Sequence, residues 1–280
     1  FELPVASAQV KSSILLAGLA AGTNIEIIEP IQTRDHTERM LKNFGANLEI
    51  TSEDDKNIIK LASSNNLHAK NYNVVGDISS AAFLIVAALI SDSPGLEITN
   101  VGMNPSRTGI LQVLKKMGAN IEIKNQRSDS GEPCADLFVK RSQLKGIELS
   151  GEIIPNIIDE IPIISVAAAF ADGKTSIRDA KELRVKESDR LKAVSEGFSA
   201  LGIMHENFED GMSIQGTTNK LKIDNSISIE SHKDHRIAMS FLIAGINCSK
   251  PITVKNCENI FTSFPNFIKL ISSIGYELKK

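Results

Sequence analysis

The densest chemistry in this 280-residue sequence lies in Lys181-Glu182-Leu183-Arg184-Val185-Lys186-Glu187-Ser188-Asp189-Arg190-Leu191. Leu191, Val194, Phe198 and Leu201 follow at helical spacing, and Gly202 stands where that helix should stop. Ser188 or Asp189 is therefore expected to cap it, with Lys186, Glu187 and Arg190 around its N-terminus. A helix N-terminus carries partial positive charge and favours acidic neighbours. Cations crowded there are expected to receive an anion on the free backbone N–H groups, unless they serve only local salt bridges.

Further cations stand near other predicted helix starts, namely Lys11, Arg34, Arg107 and Arg236, with Ser7, Gln9 and Thr33 close by. Arginine's planar fork suits carboxylate and phosphate. The implied ligand is small and carries more than one anionic group. Two carboxylates stand against this basic background. Asp159, in Ile157-Ile158-Asp159-Glu160-Ile161-Pro162, reads either as a helix cap or as a buried acid that needs a partner. Glu187 reads either as a salt-bridge residue or as a proton-transfer group held among cations. Asp234-His235-Arg236 brings neither a metal motif nor a nucleophile elbow, so His235 is read as structural or orienting, as is His36. No glycine-rich phosphate loop occurs, and nucleotide cofactors are not indicated.

The elements that must position these residues recur. Leu41–Ile50, Leu114–Ile123, Phe198–Asn207 and Ile271–Leu278 each read as a helix end, a glycine and an alternating strand. Gly45, Gly118, Gly202 and Gly275 are 73, 84 and 73 residues apart, a period long enough for a repeated supersecondary unit. Each unit also has an earlier helix that is apolar nearly all round: Lys11–Ala21, Ser79–Ile90, Ile161–Ala171 and Arg236–Ile246. Short strands follow at Ile25–Ile28, Leu96–Thr99, Thr175–Ile177 and Ile252–Val254. The expectation is an α/β protein of repeated βαβαββ units, with helices inside and sheets outside. Equivalent positions in repeats point the same way, so some of the cations should converge on one cleft. A break near Asn71–Asp77, after the polar Ser63–Asn66, divides the chain into residues 1–75, holding one unit, and 76–280, holding three. One unit alone cannot bury its apolar helix well. The chain therefore reads as the C-terminal portion of a larger two-domain protein, the alternative being a complete four-unit domain.

The chain is 42% hydrophobic and 23% charged with a net charge of -3, a balance that offers no argument for nucleic acid or membrane as a partner. No apolar run reaches spanning length. Cys134, Cys248 and Cys257 show no metal-ligand spacing and read as reduced thiols of a cytoplasmic protein.

Pro4-Val5-Ala6-Ser7-Ala8-Gln9-Val10-Lys11-Ser12, Thr33–Met40, Leu183–Leu191 and Asp234–Met239 together resemble the 3-phosphoshikimate 1-carboxyvinyltransferase (5-enolpyruvylshikimate-3-phosphate synthase) family. The resemblance runs along the whole chain. It implies two domains of the enolpyruvyl transferase type, inverse α/β-barrel-like, each of three βαβαββ units, with the active site between them. It implies transfer of the carboxyvinyl group of phosphoenolpyruvate to the 5-hydroxyl of shikimate 3-phosphate, by a monomer when intact, without metal or organic cofactor. On this resemblance Ser7, Ala8 (through its backbone) and Gln9 hold shikimate 3-phosphate, with Thr33 and Arg34 near its phosphate. Asp159 takes the 5-hydroxyl proton with Lys186 beside it, Glu187 serves proton transfer at the methylene, and Arg190 and Arg236 clamp phosphoenolpyruvate. Ala8 and Thr262 stand where one branch of the family has serine and lysine, as in the branch that includes glyphosate-tolerant members. The loop that governs tolerance would lie upstream of Phe1. The 280 residues alone are expected to bind anions weakly and to show no carboxyvinyl transfer. Two other readings are UDP-N-acetylglucosamine 1-carboxyvinyltransferase, whose motifs differ from Lys186-Glu187-Ser188-Asp189-Arg190, and a non-catalytic anion-binding repeat module.

Overall fold

The computed structural model describes residues 1–54, 56–63 and 66–278. Ser64 and Asn65, in the polar stretch read as a break, and Lys279 and Lys280, at the end of the expected second domain, lie outside the described residues. The first repeat is α1 (Ala8–Ala21), β1 (Ile25–Glu29), α2 (His36–Asn43) and the hairpin β2 (Leu48–Glu53) and β3 (Lys56–Leu61). The second is α3 (Ile78–Ile90), β4 (Leu96–Gly102), α4 (Gly109–Lys116), β5 (Asn120–Asp129) and β6 (Glu132–Lys140). The third runs β7 (Glu148–Leu149), α5 (Ile154–Ile157), α6 (Ile161–Ala169), β8 (Lys174–Ile177), a 3-10 turn at Lys181–Val185, α7 (Arg190–Leu201), β9 (His205–Phe208) and β10 (Gly211–Gln215). The last is β11 (Ser228–Glu230), α8 (His235–Gly245), β12 (Thr253–Lys255), α9 (Ile260–Ser263) and α10 (Phe267–Ser273).

One strand order recurs: β1-β3-β2, β4-β6-β5, and β8-β10-β9 with β7 added beside β8. The added pair β7–β8 is parallel, as is β11–β12. Single parallel bridges, Glu2 with Ile28 and Gly76 with Val101, occupy the same place in the first two repeats. Parallel neighbours need a long crossover, and the apolar helix of each repeat supplies it. The recurring glycines carry the left-handed backbone that closes a helix, with φ of 94° at Gly45, 93° at Gly118, 70° at Gly202 and 96° at Gly275. Beyond the fourth glycine the chain departs from expectation. No strand succeeds Gly275 among the described residues, because no hairpin partner comes after it there as β3 comes after β2.

The chain divides into two compact units that interleave in sequence. One comprises Phe1–Val75, Gly102–Ser106 and Gln126–Cys134, and the other Gly76–Val101, Arg107–Asn125 and Ala135–Lys280. Polar contacts draw the two later segments into the first unit: Asn104 Nδ2 donates to Asp35 Oδ1 at 2.6 Å, and His36 Nδ1 lies 2.7 Å from Glu132 Oε1. His36 is thus held by a carboxylate.

In the second unit α3, α6 and α8 pack on one another, with α7 against α6 and α8. Every residue of α6 is buried, and in α3 only Ser80 is not. Gly197 lets α7 approach closely, since a Cβ there would overlap the Phe241 ring, which also meets Phe198 edge-on at 6.0 Å. The first unit has a smaller core of Leu3, Leu15, Ile27, Leu41, Leu48, Ile59 and Leu61. Its helix corrects the all-round reading. Only Lys11, Leu15 and Gly18 of α1 are buried, while Val10 and Leu16 are exposed. β1 and β3 cover one face of α1, whereas α3, α6 and α8 cover each other. Among the described residues no helix is long and apolar enough to cross a membrane.

Candidate active site

The segment before α7 is pinned at both ends. Leu183 is buried, and Arg184 donates to the carbonyls of Glu209 at 2.6 Å and Phe208 at 2.8 Å, in the turn between β9 and β10. Asp189, rather than Ser188, caps α7, its Oδ1 accepting from Lys192 N at 3.0 Å. The expected seat for an anion on the α7 N–H groups is therefore taken by the chain's own carboxylate. Arg190 turns inward instead. Its side chain is 1% exposed and donates through Nε to Asp234 Oδ2 at 2.9 Å, through Nη2 to Glu187, and through Nη1 to Asp159 Oδ1 at 3.4 Å. Lys186 pairs with Glu182 and lies 3.9 Å from Asp159 Oδ1.

Asp159 is not at the cap position of α6, which Glu160 occupies. Its carboxylate faces Arg190 and Lys186, and its carbonyl accepts from Arg236 Nη1 at 3.0 Å. Arg236 is the second residue of α8, and Asp234 Oδ1 caps its backbone N–H at 2.9 Å. The same guanidinium lies 3.7 Å from Glu160 Oε1. Glu160 is buried and accepts from the Ser79 hydroxyl, whose oxygen receives Arg107 Nη2 at 2.6 Å. Burial raises the Glu160 carboxyl above the usual range, against the Ser79 hydrogen bond and the charges of Arg236 and Arg107. Burial works the same way on Asp234, but the Arg190 guanidinium, together with the Arg236 backbone N–H and the Ser188 hydroxyl, holds that acid below its usual range. For His235, burial and then the Arg236 charge lower the imidazole pKa. Cations and acids from α3, α6, α7 and α8 thus meet in one network of the second unit.

The first unit holds the other candidates. Ser7 caps α1, Ala8 and Gln9 are its first two residues, and Ser7 Oγ accepts from Val10 N at 3.3 Å. Thr33 donates its backbone N–H to Glu29 Oε1 at 2.9 Å and its hydroxyl to the same oxygen. Arg34 follows, half-buried. Lys11, one of the cations of which some were expected at a cleft, is fully buried, 3.0 Å from Glu29 Oε1 and 2.6 Å from Glu38 Oε1. The apolar face on which it lies leaves its ammonium no route to solvent.

A model of the family described as EPSP synthase (3-phosphoshikimate 1-carboxyvinyltransferase) matches residues 1–271. The chain belongs to the EPSP synthase family. It is 50% identical over 274 residues to the 3-phosphoshikimate 1-carboxyvinyltransferase of Petrotoga mobilis, covering 98% of this chain and 62% of that protein. The Magnetococcus marinus relative of the same name is 49% identical over 279 residues, covering 100% of this chain and 61% of that protein. The chain thus spans about three fifths of the curated relatives it matches. A solved EPSP synthase from Acinetobacter baumannii superposes with a TM-score of 0.90 at 44% identity, over 98% of this chain and 62% of that one. The enolpyruvyl transferase NikO of Streptomyces tendae shares the fold, with a TM-score of 0.75 at 17% identity over 95% of this chain and 58% of that one.

Within this EPSP synthase family chain the structure brings Asp159, Lys186, Glu187, Arg190 and Arg236 together in the second unit. Ser7, Ala8, Gln9, Thr33 and Arg34 lie in the first. Thr262 is exposed on α9. Sequence reasoning passed over Glu160, Ser79 and the Asp234 carboxylate. The last had a signal, since an aspartate before an apolar helix is a cap, and a cap that also meets a buried arginine serves two elements.

Asp234→Asn keeps an oxygen for the α8 cap but strips Arg190 of its buried counter-charge. It is expected to lower unfolding free energy by about 3–5 kcal/mol in urea titration, whereas a change below about 0.5 kcal/mol would show the pair to be dispensable. Glu160 binds its proton more tightly folded than unfolded. Its contribution to stability is therefore full below the ordinary carboxylate pKa and lost as pH rises through the folded value. Glu160→Gln should remove that slope, so the stability of the parent should fall relative to the variant as pH rises above the ordinary carboxylate range. Parallel pH profiles would contradict it.

Proposed function

We propose that this chain supplies part of the machinery of an enzyme that transfers the carboxyvinyl group of phosphoenolpyruvate to the 5-hydroxyl of shikimate 3-phosphate, releasing phosphate. The observation that carries the reading is the meeting of Asp159 with Lys186, Arg190 and Arg236 in a chain of this family. Residues 1–75 act in this reading as the last repeat of one domain and 76–280 as the three repeats of another. The enzyme is cytoplasmic and uses neither metal nor organic cofactor.

Two anionic substrates repel one another, so joining them requires cations that neutralise both and fix their approach. Arg236 and Arg190 take the carboxylate and phosphate of phosphoenolpyruvate. Arg190 donates to Asp234, Glu187 and Asp159, which fixes its guanidinium among the acids of the site. Thr33 and Arg34 meet the phosphate of shikimate 3-phosphate, with Ser7, Ala8 and Gln9 on the rest of that substrate. Asp159 accepts the proton of the 5-hydroxyl as its oxygen attacks C2 of phosphoenolpyruvate, and Lys186 stabilises the charge at that place. Glu187, half-exposed and tethered by Arg190, delivers a proton to the methylene carbon and recovers one as phosphate leaves. Calorimetric titration of the full-length protein with shikimate 3-phosphate, with and without phosphoenolpyruvate, tests the reading. Saturable binding that tightens with the second substrate supports it, and heat from neither substrate refutes it.

Arg236→Ala should weaken phosphoenolpyruvate by about 2–4 kcal/mol, seen as a raised KM. An unchanged KM with normal turnover removes Arg236 from the site. Glu187→Gln keeps size and hydrogen bonding but not proton transfer, so kcat should fall by roughly 10²–10⁴ with affinity retained. Lost binding with near-normal residual turnover would make Glu187 an orienting residue only.

A further inference from the structure

Lys11 sits on the buried stripe of α1 with Leu15 and Gly18, a place where every other apolar helix of the fold puts uncharged side chains. Its ammonium joins Glu29, the last residue of β1, to Glu38 in the first turn of α2, and both carboxylates are 2% exposed. Ser12 Oγ and Thr37 Oγ1, 2.7 Å apart, tie the same two helices. Three buried charges contribute less to stability than an apolar trio of the same shape, because desolvation offsets their attraction. What an apolar trio could not provide is the charged oxygen of Glu29. That one oxygen lies 3.0 Å from Lys11 Nζ and accepts both the Thr33 backbone N–H and the Thr33 hydroxyl, and so fixes the turn that leads to Arg34.

We infer that Lys11, Glu29 and Glu38 are positioning residues that hold the Thr33–Arg34 turn in the conformation that receives the phosphate of the ligand. The inference rests on the proposed reading for the ligand's identity, but its mechanical half does not. Lys11 stays where it is by attraction to two acids, and the Glu29 oxygen that it faces holds both the backbone N–H and the hydroxyl of Thr33. None of the three touches the ligand.

The test compares the full-length parent with Lys11→Met and with the triple variant Lys11→Met/Glu29→Gln/Glu38→Gln. The triple variant keeps the shape with no buried charge and so stays folded if the single one does not. Two quantities are read: hydrogen exchange of the Thr33 amide without ligand, and the steady-state constants with shikimate 3-phosphate varied. Thr33 exchange should rise at least about tenfold, with KM for shikimate 3-phosphate up roughly 10- to 100-fold and kcat within about threefold. Unchanged Thr33 exchange in a folded variant overturns the inference without reference to any substrate. Faster exchange with unchanged KM makes the triad purely structural and overturns it too. A parent that neither binds nor turns over shikimate 3-phosphate overturns the functional reading and the ligand half of this inference together. The exchange data then still show whether the triad holds the turn.

Discussion

Asp234 and Arg190 are buried together, at 0% and 1% exposure, and the second unit's chemistry depends on that pair. Removing two charges from water costs several kcal/mol each, and only geometry with nearly every donor and acceptor satisfied offsets it. Asp234 meets that condition with Arg190 Nε, the Ser188 hydroxyl and the first N–H groups of α8. Arg190 meets it with Asp234, Asp159 and Glu187. The pair thereby ties the first residue of α7 to the cap of α8. Glu187 is three residues before one partner and Arg236 two residues after the other. Neither can move far without disturbing a buried ion.

The repeats show how one supersecondary unit can be used in two ways. In the second unit α3, α6 and α8 bury one another, so their sequences need little beyond small and apolar residues. Charge enters only at their N-termini, where Asp77, Glu160 and Asp234 occupy the cap positions. Those termini are where Arg107, Arg236 and Arg190 find acids to oppose them. Polar function is thus confined to helix starts, and the helix bodies are left to packing. α1 breaks that division by carrying a lysine within its body, and the cost of burial is met by two glutamates from neighbouring elements.

Much of this was legible because it is local. Helix-closing glycines impose a left-handed backbone, so their spacing exposed the repeat, and the apolar runs exposed the crossover helices. Lys186, Glu187 and Arg190 announced themselves by crowding. What escaped was pairing across sequence distance. Nothing near Lys11 says that Glu29 and Glu38 will meet it, so the sequence alone does not separate this internal tie from the cations that stay near a cleft. Nor does Ile-Ile-Asp-Glu-Ile-Pro reveal which acid faces cations and which is shut in with Ser79, because that depends on the rotation of α6 among its neighbours. The departure after Gly275 has the same origin. A strand exists only where a partner completes its hydrogen bonds, and the residues themselves do not announce the partner.

Asp159 and Glu160 are consecutive residues in unlike surroundings. Asp159 looks onto Lys186 and Arg190, while Glu160 is enclosed, accepts from a serine hydroxyl and has its proton affinity raised by burial. Arg236 touches both residues, through the backbone carbonyl of Asp159 and the carboxyl of Glu160. When Glu160 carries its proton, Arg236 faces one opposing charge fewer and more of its field is free for an incoming anion. When Glu160 is ionised, that field is partly spent inside the protein. In the proposed reading, the strength of this cation toward phosphoenolpyruvate is therefore set by an acid that the substrate need not touch.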